Sequence, residues 1–210
     1  MSDLQPDPHK NARLCLDFIN TLTYRGSANP EEHLPDFESL LGWAEQAGLP
    51  PGEADQAREI ANSQPELASQ AYLSAIELRE RLFRLLSASA FGRRPEEQDL
   101  QAFNLVLGMT LAHAKLIPGT EAYRWSWSAQ QADLLNRTWW LVVRVAAELL
   151  TSPELLDRLG QCADPECGWL FLDTSRNHTR KWCDINDCGN RAKQRRFQSK
   201  KREEKTGPAD

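Results

Sequence analysis

The chain has no long hydrophobic run. Its longest strongly apolar stretch, Trp139 to Val143, is closed by Arg137-Thr138 on one side and Arg144 on the other, far short of the roughly 20 residues a helix needs to span a bilayer. The first twenty residues, MSDLQPDPHKNARLCLDFIN, carry acids and prolines but no apolar core segment, so they do not form a secretory signal. The expectation is a soluble, cytoplasmic protein. No internal repeat is visible, and no low-complexity segment precedes the basic C-terminal end. Cysteine is sparse: there are five, four of them clustered near the C-terminus and Cys15 standing alone. In a reducing compartment that pattern excludes a disulfide framework and points to metal.

What is present is the composition of a folded protein, 40% hydrophobic and 26% charged. A length of 210 residues suits one good core plus a small module. The formal net charge of −5 hides a division, because residues 176–205 hold eleven Lys or Arg against four Asp or Glu. That end carries +7 and the remainder −12. A basic patch on an acidic body can bind phosphate while limiting indiscriminate adhesion.

Periodicity predicts a mainly α body. Residues 1–10 resemble a frayed terminus, and structure begins near Ala12, where Leu14, Phe18 and Leu22 share one helical face. Cys15 on that helix is either a small buried hydrophobe or a reactive nucleophile, and its apolar neighbours favour the first. After a loop from Gly26 to Pro35, Asp36 caps a helix that Gly48 ends. Leu49-Pro50-Pro51-Gly52 breaks the chain before a short helix, and Pro65 opens the longest helical pattern, with Ala71, Ala75, Leu78, Leu82 and Leu85 inward. Arg79 falls on that apolar face, where it either holds an anionic ligand or is paired internally.

Pro95 then starts a helix with Leu100, Phe103 and Leu107 inward. A hairpin follows, with Leu111 to Ile117 as its first arm, a Pro118-Gly119 turn, then Tyr123, Trp125 and Trp127 alternating against Arg124 and Ser126. A strong helix is expected from about Ser128 to Leu150, and a short one from Ser152 that Gly160 closes. The paired tryptophans, Trp125 with Trp127 and Trp139 with Trp140, serve either a ligand pocket or the core, and core packing is their commoner use.

The decisive segment is Cys162-Ala-Asp-Pro-Glu-Cys167, then fifteen residues, then Cys183-Asp-Ile-Asn-Asp-Cys188. Two cysteine pairs with a medium gap match a site in which four thiolates surround one structural Zn²⁺ at about 2.3 Å. The site leaves no open position for water, which argues against catalytic zinc. Free or redox cysteines are the alternative. The segment between the pairs, Gly168 to Trp182, has apolar ends and a polar Ser175–His178 centre, so a hairpin with its turn in the middle is expected there. After Cys188, the stretch Arg191 to Arg202 has neither Pro nor Gly and is compatible with a helix. So small a module needs its metal to fold; comparable sites contribute about 10 to 16 kcal/mol.

These residues also carry a resemblance. Cys162 to Asn177, followed by Arg180 to Lys193 with Cys188-Gly-Asn-Arg191 at its centre, resembles the CGNR zinc-finger family. Leu14-Cys-Leu-Asp-Phe-Ile-Asn-Thr21 is similar to the opening of the ABATE domain that usually precedes that finger. The resemblance implies a bacterial transcription regulator, not an enzyme. It consists of a helical ABATE-like domain over residues 1–155, a treble-clef-like zinc module over 156–205 and a disordered tail over 206–210.

The candidate nucleic-acid contacts are Arg176, Arg180, Lys181, Asn190, Arg191, Lys193, Arg195, Arg196 and Lys200. A charge run is often only a solvated face. Here, however, Arg191 and Arg195, like Arg196 and Lys200, are four apart, so a helix would project rows of cations toward phosphates. The expectation is double-stranded DNA, with Asn190 and Arg191 near base edges, although Asn190 could equally cap the helix. An RNA-binding protein using Trp169, Phe171 or Trp182 to stack bases, a nuclease built on Asn177-His178, and a protein-interaction adaptor are the other readings. A homodimer and a small-molecule effector of the helical domain are further expected partners.

Overall fold

Proline and turn chemistry set most of the helix boundaries. The computed structural model describes residues 8–120, 122–127 and 133–205. Residues 1–7 and 206–210, expected to be frayed or disordered, lie outside the described residues. The first helix, α1 (Pro8–Ile19), starts earlier than Ala12 because Pro8 suits a first helical turn, where no backbone donor is needed. It buries Ala12, Cys15, Leu16, Phe18 and Ile19. Burial pushes the Cys15 thiol up to about 12, which leaves it an inert core residue.

Helix α1 ends before Leu22, which is expected on its face and lies instead in β1 (Leu22–Thr23); β1 pairs antiparallel with β2 (Glu31–Glu32), which falls within the expected loop. Helix α2 (Phe37–Gln46) is capped by Asp36, which accepts from the Ser39 backbone at 2.8 Å, and Gly48 at φ 106° ends it. Helices α3 (Pro51–Ser63) and α4 (Pro65–Ala90) both open on proline. Arg79 on α4 is 2% exposed. It donates to both carboxylate oxygens of Glu32 at 2.7 and 2.6 Å and to Glu80 at 2.9 Å, so it is paired internally.

Helix α5 (Glu97–Ala112) buries Phe103 but leaves Leu100 exposed. Its Asp99 is held by a bidentate Arg84 at 2.7 and 2.6 Å. The hairpin of β3 (Ala114–Pro118) and β4 (Tyr123–Trp127) forms with β4 where alternation places it, but its first arm starts at Ala114 and not at Leu111, because α5 runs on through Ala112. Trp127 packs on Trp140 at 5.7 Å between ring centroids, and Trp139 and Trp140 belong to the core.

Helix α6 (Arg137–Leu150) starts nine residues after Ser128, of which residues 128–132 lie outside the described set. Ser152 caps α7 (Pro153–Asp157), accepting from the Leu155 backbone. Gly160 does not end that helix. It lies in β5 (Leu159–Gln161), which pairs antiparallel with β6 (Leu170–Leu172). A Cβ at Gly160 would stand 2.9 Å from the Phe171 ring, so the cross-strand aromatic demands the glycine.

That pairing moves the C-terminal hairpin. It does not lie between the two cysteine pairs with its turn at Ser175–His178; it straddles the first pair, and residues 162–169, which include Cys162 and Cys167, form its connection. The segment after β6 is instead closed by buried Asp173, which accepts from the Ser175 and Arg180 backbones at 2.8 Å each. Leu159, Leu170 and Leu172 join the main core with α1, α4 and α6. The body is thus a helical bundle with two small antiparallel strand pairs, β1–β2 and β3–β4, and a small cysteine-rich module is built onto its edge.

Candidate metal centre and nucleic-acid interface

Each cysteine pair sits on a turn shaped by an aspartate. In the first, Asp164 accepts from the Glu166 backbone at 3.1 Å, and the Cys167 backbone returns to the Asp164 carbonyl at 3.1 Å. In the second, Asp184 accepts from the Asn186 and Asp187 backbones at 2.6 and 3.3 Å, and a single π-type turn, Ile185–Gly189, carries Cys188. These side chains supply the partners that such tight turns otherwise lack. The Ala163 backbone donates to the Lys181 carbonyl at 2.8 Å, which holds the two turns face to face.

The result is one cluster. The sulfurs of Cys162, Cys167, Cys183 and Cys188 lie within 4.8 Å of one another, with Cys167–Cys183 and Cys183–Cys188 both at 3.6 Å. A disulfide would bring sulfurs to about 2.05 Å, whereas a tetrahedral ion at about 2.3 Å from each sets them ~3.8 Å apart. The spacing therefore fits one Zn²⁺, which is the cofactor. Hydrogen bonds from Cys167 and Cys183 pull the Cys162 thiol far down, while the same sulfur contacts push Cys183 up and burial pushes Cys188 up to about 12. Four crowded acids of this kind cannot all ionise until a cation sits among them. Among the described residues no other His, Cys, Asp or Glu group is gathered to hold a metal.

The first residues of helix α8 (Asn190–Lys205) close the module. Arg191 donates through Nε to Asp164 at 3.0 Å, through Nη1 to Asp187 at 2.6 Å and through Nη2 to the Cys188 sulfur at 2.9 Å. Its guanidinium also lies over the Tyr24 ring, 5.4 Å from the centroid. Arg195 reaches the other Asp164 oxygen at 3.1 Å. The Asp164 side chain is 0% exposed. Burial alone would raise its pKa, but the Arg191 bond and its other partners hold it below the ordinary value. Burial likewise opposes the Arg191 charge, and Asp164, Cys188 and Asp187 outweigh it.

The residues named from the sequence therefore separate into two sets. Arg191, expected near base edges, has all three nitrogens engaged inside the module. Asn190 donates to the Asn186 carbonyl at 2.6 Å; it is the first residue of α8 and closes the preceding turn, and among the described residues it does not accept at the helix start as an N-cap would. Arg180 covers Phe171 at 4.7 Å and donates to the Trp182 carbonyl at 2.8 Å and to the Cys183 carbonyl. Arg176, Lys181, Lys193 and Arg196 are exposed. The Lys200 side chain lies outside the described residues. Sequence reasoning missed Asp164; its only signal was an acid enclosed by a cysteine pair.

Two family models match the chain. The ABATE family, described as "Putative stress-induced transcription regulator", matches residues 12–153. The chain belongs to the ABATE family. In this ABATE chain residues 158–201 match the CGNR zinc finger, so the helical bundle and the cysteine module correspond to separate families. Neither description is that of an enzyme. No curated protein matches the chain in sequence. Among the described residues no helix is long and apolar enough to cross a membrane.

Proposed function

We propose that this ABATE chain is a DNA-binding transcription regulator. Cys162, Cys167, Cys183 and Cys188 ligate one structural Zn²⁺, and the ion sets the start of α8 so that its outer cations meet the phosphates of a duplex. Bound zinc supplies cross-linking energy and no chemistry, because four thiolates fill its shell. The helical body divides from the zinc module near residue 155.

The observation that carries the proposal is the division of the cations. Asp164 and the cysteine turns hold Arg180, Arg191 and Arg195 by hydrogen bonds and ion pairs within the module, whereas Arg176, Lys181, Lys193, Arg196 and Lys201 are exposed and, among the described residues, pair with no acid. Arg191 and Arg195 then orient the helix, and the outward set contacts phosphate. Phe171 is buried beneath Arg180, which withdraws one of the aromatic platforms that base stacking in single-stranded RNA would use.

Duplex selected from random sequence, titrated with zinc-loaded protein at several salt concentrations, tests the proposal. Neutralising about five phosphates gives a slope of log affinity against log salt of about −4.5. Lys193→Glu with Arg196→Glu lowers that slope and weakens binding to all sequences alike. Affinity that does not change with salt, or that survives complete removal of zinc, refutes it.

A further inference from the structure

The surface around Trp182 and Ile185 borders the metal centre, whereas the exposed apolar residues of α5 and a polar cluster between α1, α6 and the β3–β4 hairpin stand outside it. The polar cluster is the most informative. Trp127 packs on Trp140, and two residues along β4 Trp125 faces Arg144, one turn along α6, with the guanidinium 6.0 Å from the ring centroid. Arg144 donates through Nη1 to Glu148, and Glu148 also accepts from Asn11 Nδ2 of α1 at 3.0 Å.

Arg144 is only 7% exposed, and its Nε and Nη2 are buried with no hydrogen-bond partner among the described residues. Asn11 is also buried, and its Oδ1 likewise has no partner among the described residues. Orphaned buried groups are rare and mark strain, a functional role, or a water or ligand that satisfies them. The unpaired atoms of Arg144 are significant, because Nε and Nη2 form the side of a guanidinium that grips a carboxylate with two parallel bonds. Arg84 uses that same pair on Asp99 in this protein.

We propose that Arg144, with Glu148, Asn11 and Trp125, forms a binding site in the helical domain for a small carboxylate carrying an apolar or aromatic body. The carboxylate occupies the open fork of Arg144. Trp125, still 38% exposed, provides a wall and Leu116, its exposed cross-strand partner, extends the apolar surface. Glu148 already neutralises Arg144, so it sets the affinity low and selects a ligand that adds contact with the aromatic wall. Burial lowers the Arg144 pKa and Glu148 opposes that shift; an incoming anion opposes it further.

The test is calorimetric titration of the full-length, zinc-loaded chain with benzoate, with benzamide and inorganic phosphate as separate arms. Saturable benzoate binding that is at least about tenfold weaker for benzamide, and equally weakened by Arg144→Lys, supports the site. Lysine keeps the charge but loses the fork. Glu148→Gln provides a second readout that does not depend on Arg144→Lys folding: removal of the competing, partly screened charge tightens benzoate binding by about threefold. Equal binding of benzamide, tighter binding of phosphate than of benzoate, no saturable benzoate binding to ~10 mM, or a Glu148→Gln variant with unchanged affinity each overturns the proposal. DNA binding is not measured, so the result stands apart from the function proposed above.

Discussion

Arg191 connects more of the module than any other side chain: one guanidinium spans an acid of the first turn, an acid of the second and a sulfur of the metal cluster. Removing it leaves Asp164 buried with Arg195 as its remaining ionic partner, and breaking a buried pair from one side costs about 3 kcal/mol. Arg191→Ala is therefore expected to lower both the melting point and the zinc affinity measured by chelator competition. Arg191→Lys restores only part, since an ammonium cannot serve three directions at fixed angles. Zinc affinity unchanged in the alanine variant removes Arg191 from this role.

Acid sensitivity belongs to the same scale. The Arg84 hydrogen bond holds the Asp99 carboxyl below its ordinary 3.8, and Asp164 is held below 3.8 against its own burial. A depressed folded pKa stabilises the protein above the unfolded value, and that stabilisation is lost as pH falls through the folded one. These two groups thus contribute a constant term from about pH 5 to 8 and lose it only below about pH 4. Chemical denaturation across that range checks the sign: Asp99→Asn flattens the acid limb of the stability curve.

At the level of elements, the loop after α1 is as much part of the module as the cysteine turns. Backbone N–H groups of Arg25 and Gly26 donate to the carbonyls of Cys167 and Glu166, both at 3.2 Å. A Cβ on Gly26 would stand 1.9 Å from the Pro165 carbonyl oxygen. Gly26→Ala must therefore push the loop off the first turn, at about 1–3 kcal/mol. Hydrogen exchange in Arg25–Ser27 and Asp164–Cys167 is expected to accelerate together, and unchanged protection in either segment contradicts the docking.

How much of this was legible in the sequence differs between elements. Proline at Pro65 and the Asp36 cap marked α4 and α2 because these signals act within a few residues. Alternation found β3 and β4 for the same reason. The strand character of Leu170–Leu172 was also visible, but its partner Leu159–Gln161 lies before the cysteines, in a stretch too short to show a period. Cysteine spacing disclosed the metal set. It could not disclose that Arg191 and Arg195 face inward, since two cations four residues apart on a helix look the same whether phosphate or a buried aspartate awaits them.

For the whole molecule, the two family regions share one core. Leu159, Leu170 and Leu172 pack with α1, α4 and α6, whereas α8 leans on the π-type turn and on Asp164. Chelation is therefore expected to divide the module rather than release it as a unit. Amide exchange should rise steeply across Trp182–Lys205 while β5 and β6 stay protected. Uniform loss of protection from Leu159 onward would mean that the metal, not the helical core, holds the hairpin.

Asn20 donates to the Leu170 carbonyl at 2.9 Å and accepts from its amide at 3.1 Å, and Ser87 donates to Gln161 at 2.7 Å. With the Arg25–Gly26 contacts, these bonds leave no swivel between the bundle and the cysteine turns. A module joined in this way cannot adjust its reach the way a finger on a flexible tether does. On the proposed DNA-binding reading, two copies on one duplex would hold their α8 helices at an interval fixed by how the bundles meet, so inserting one base pair between half-sites is expected to weaken binding.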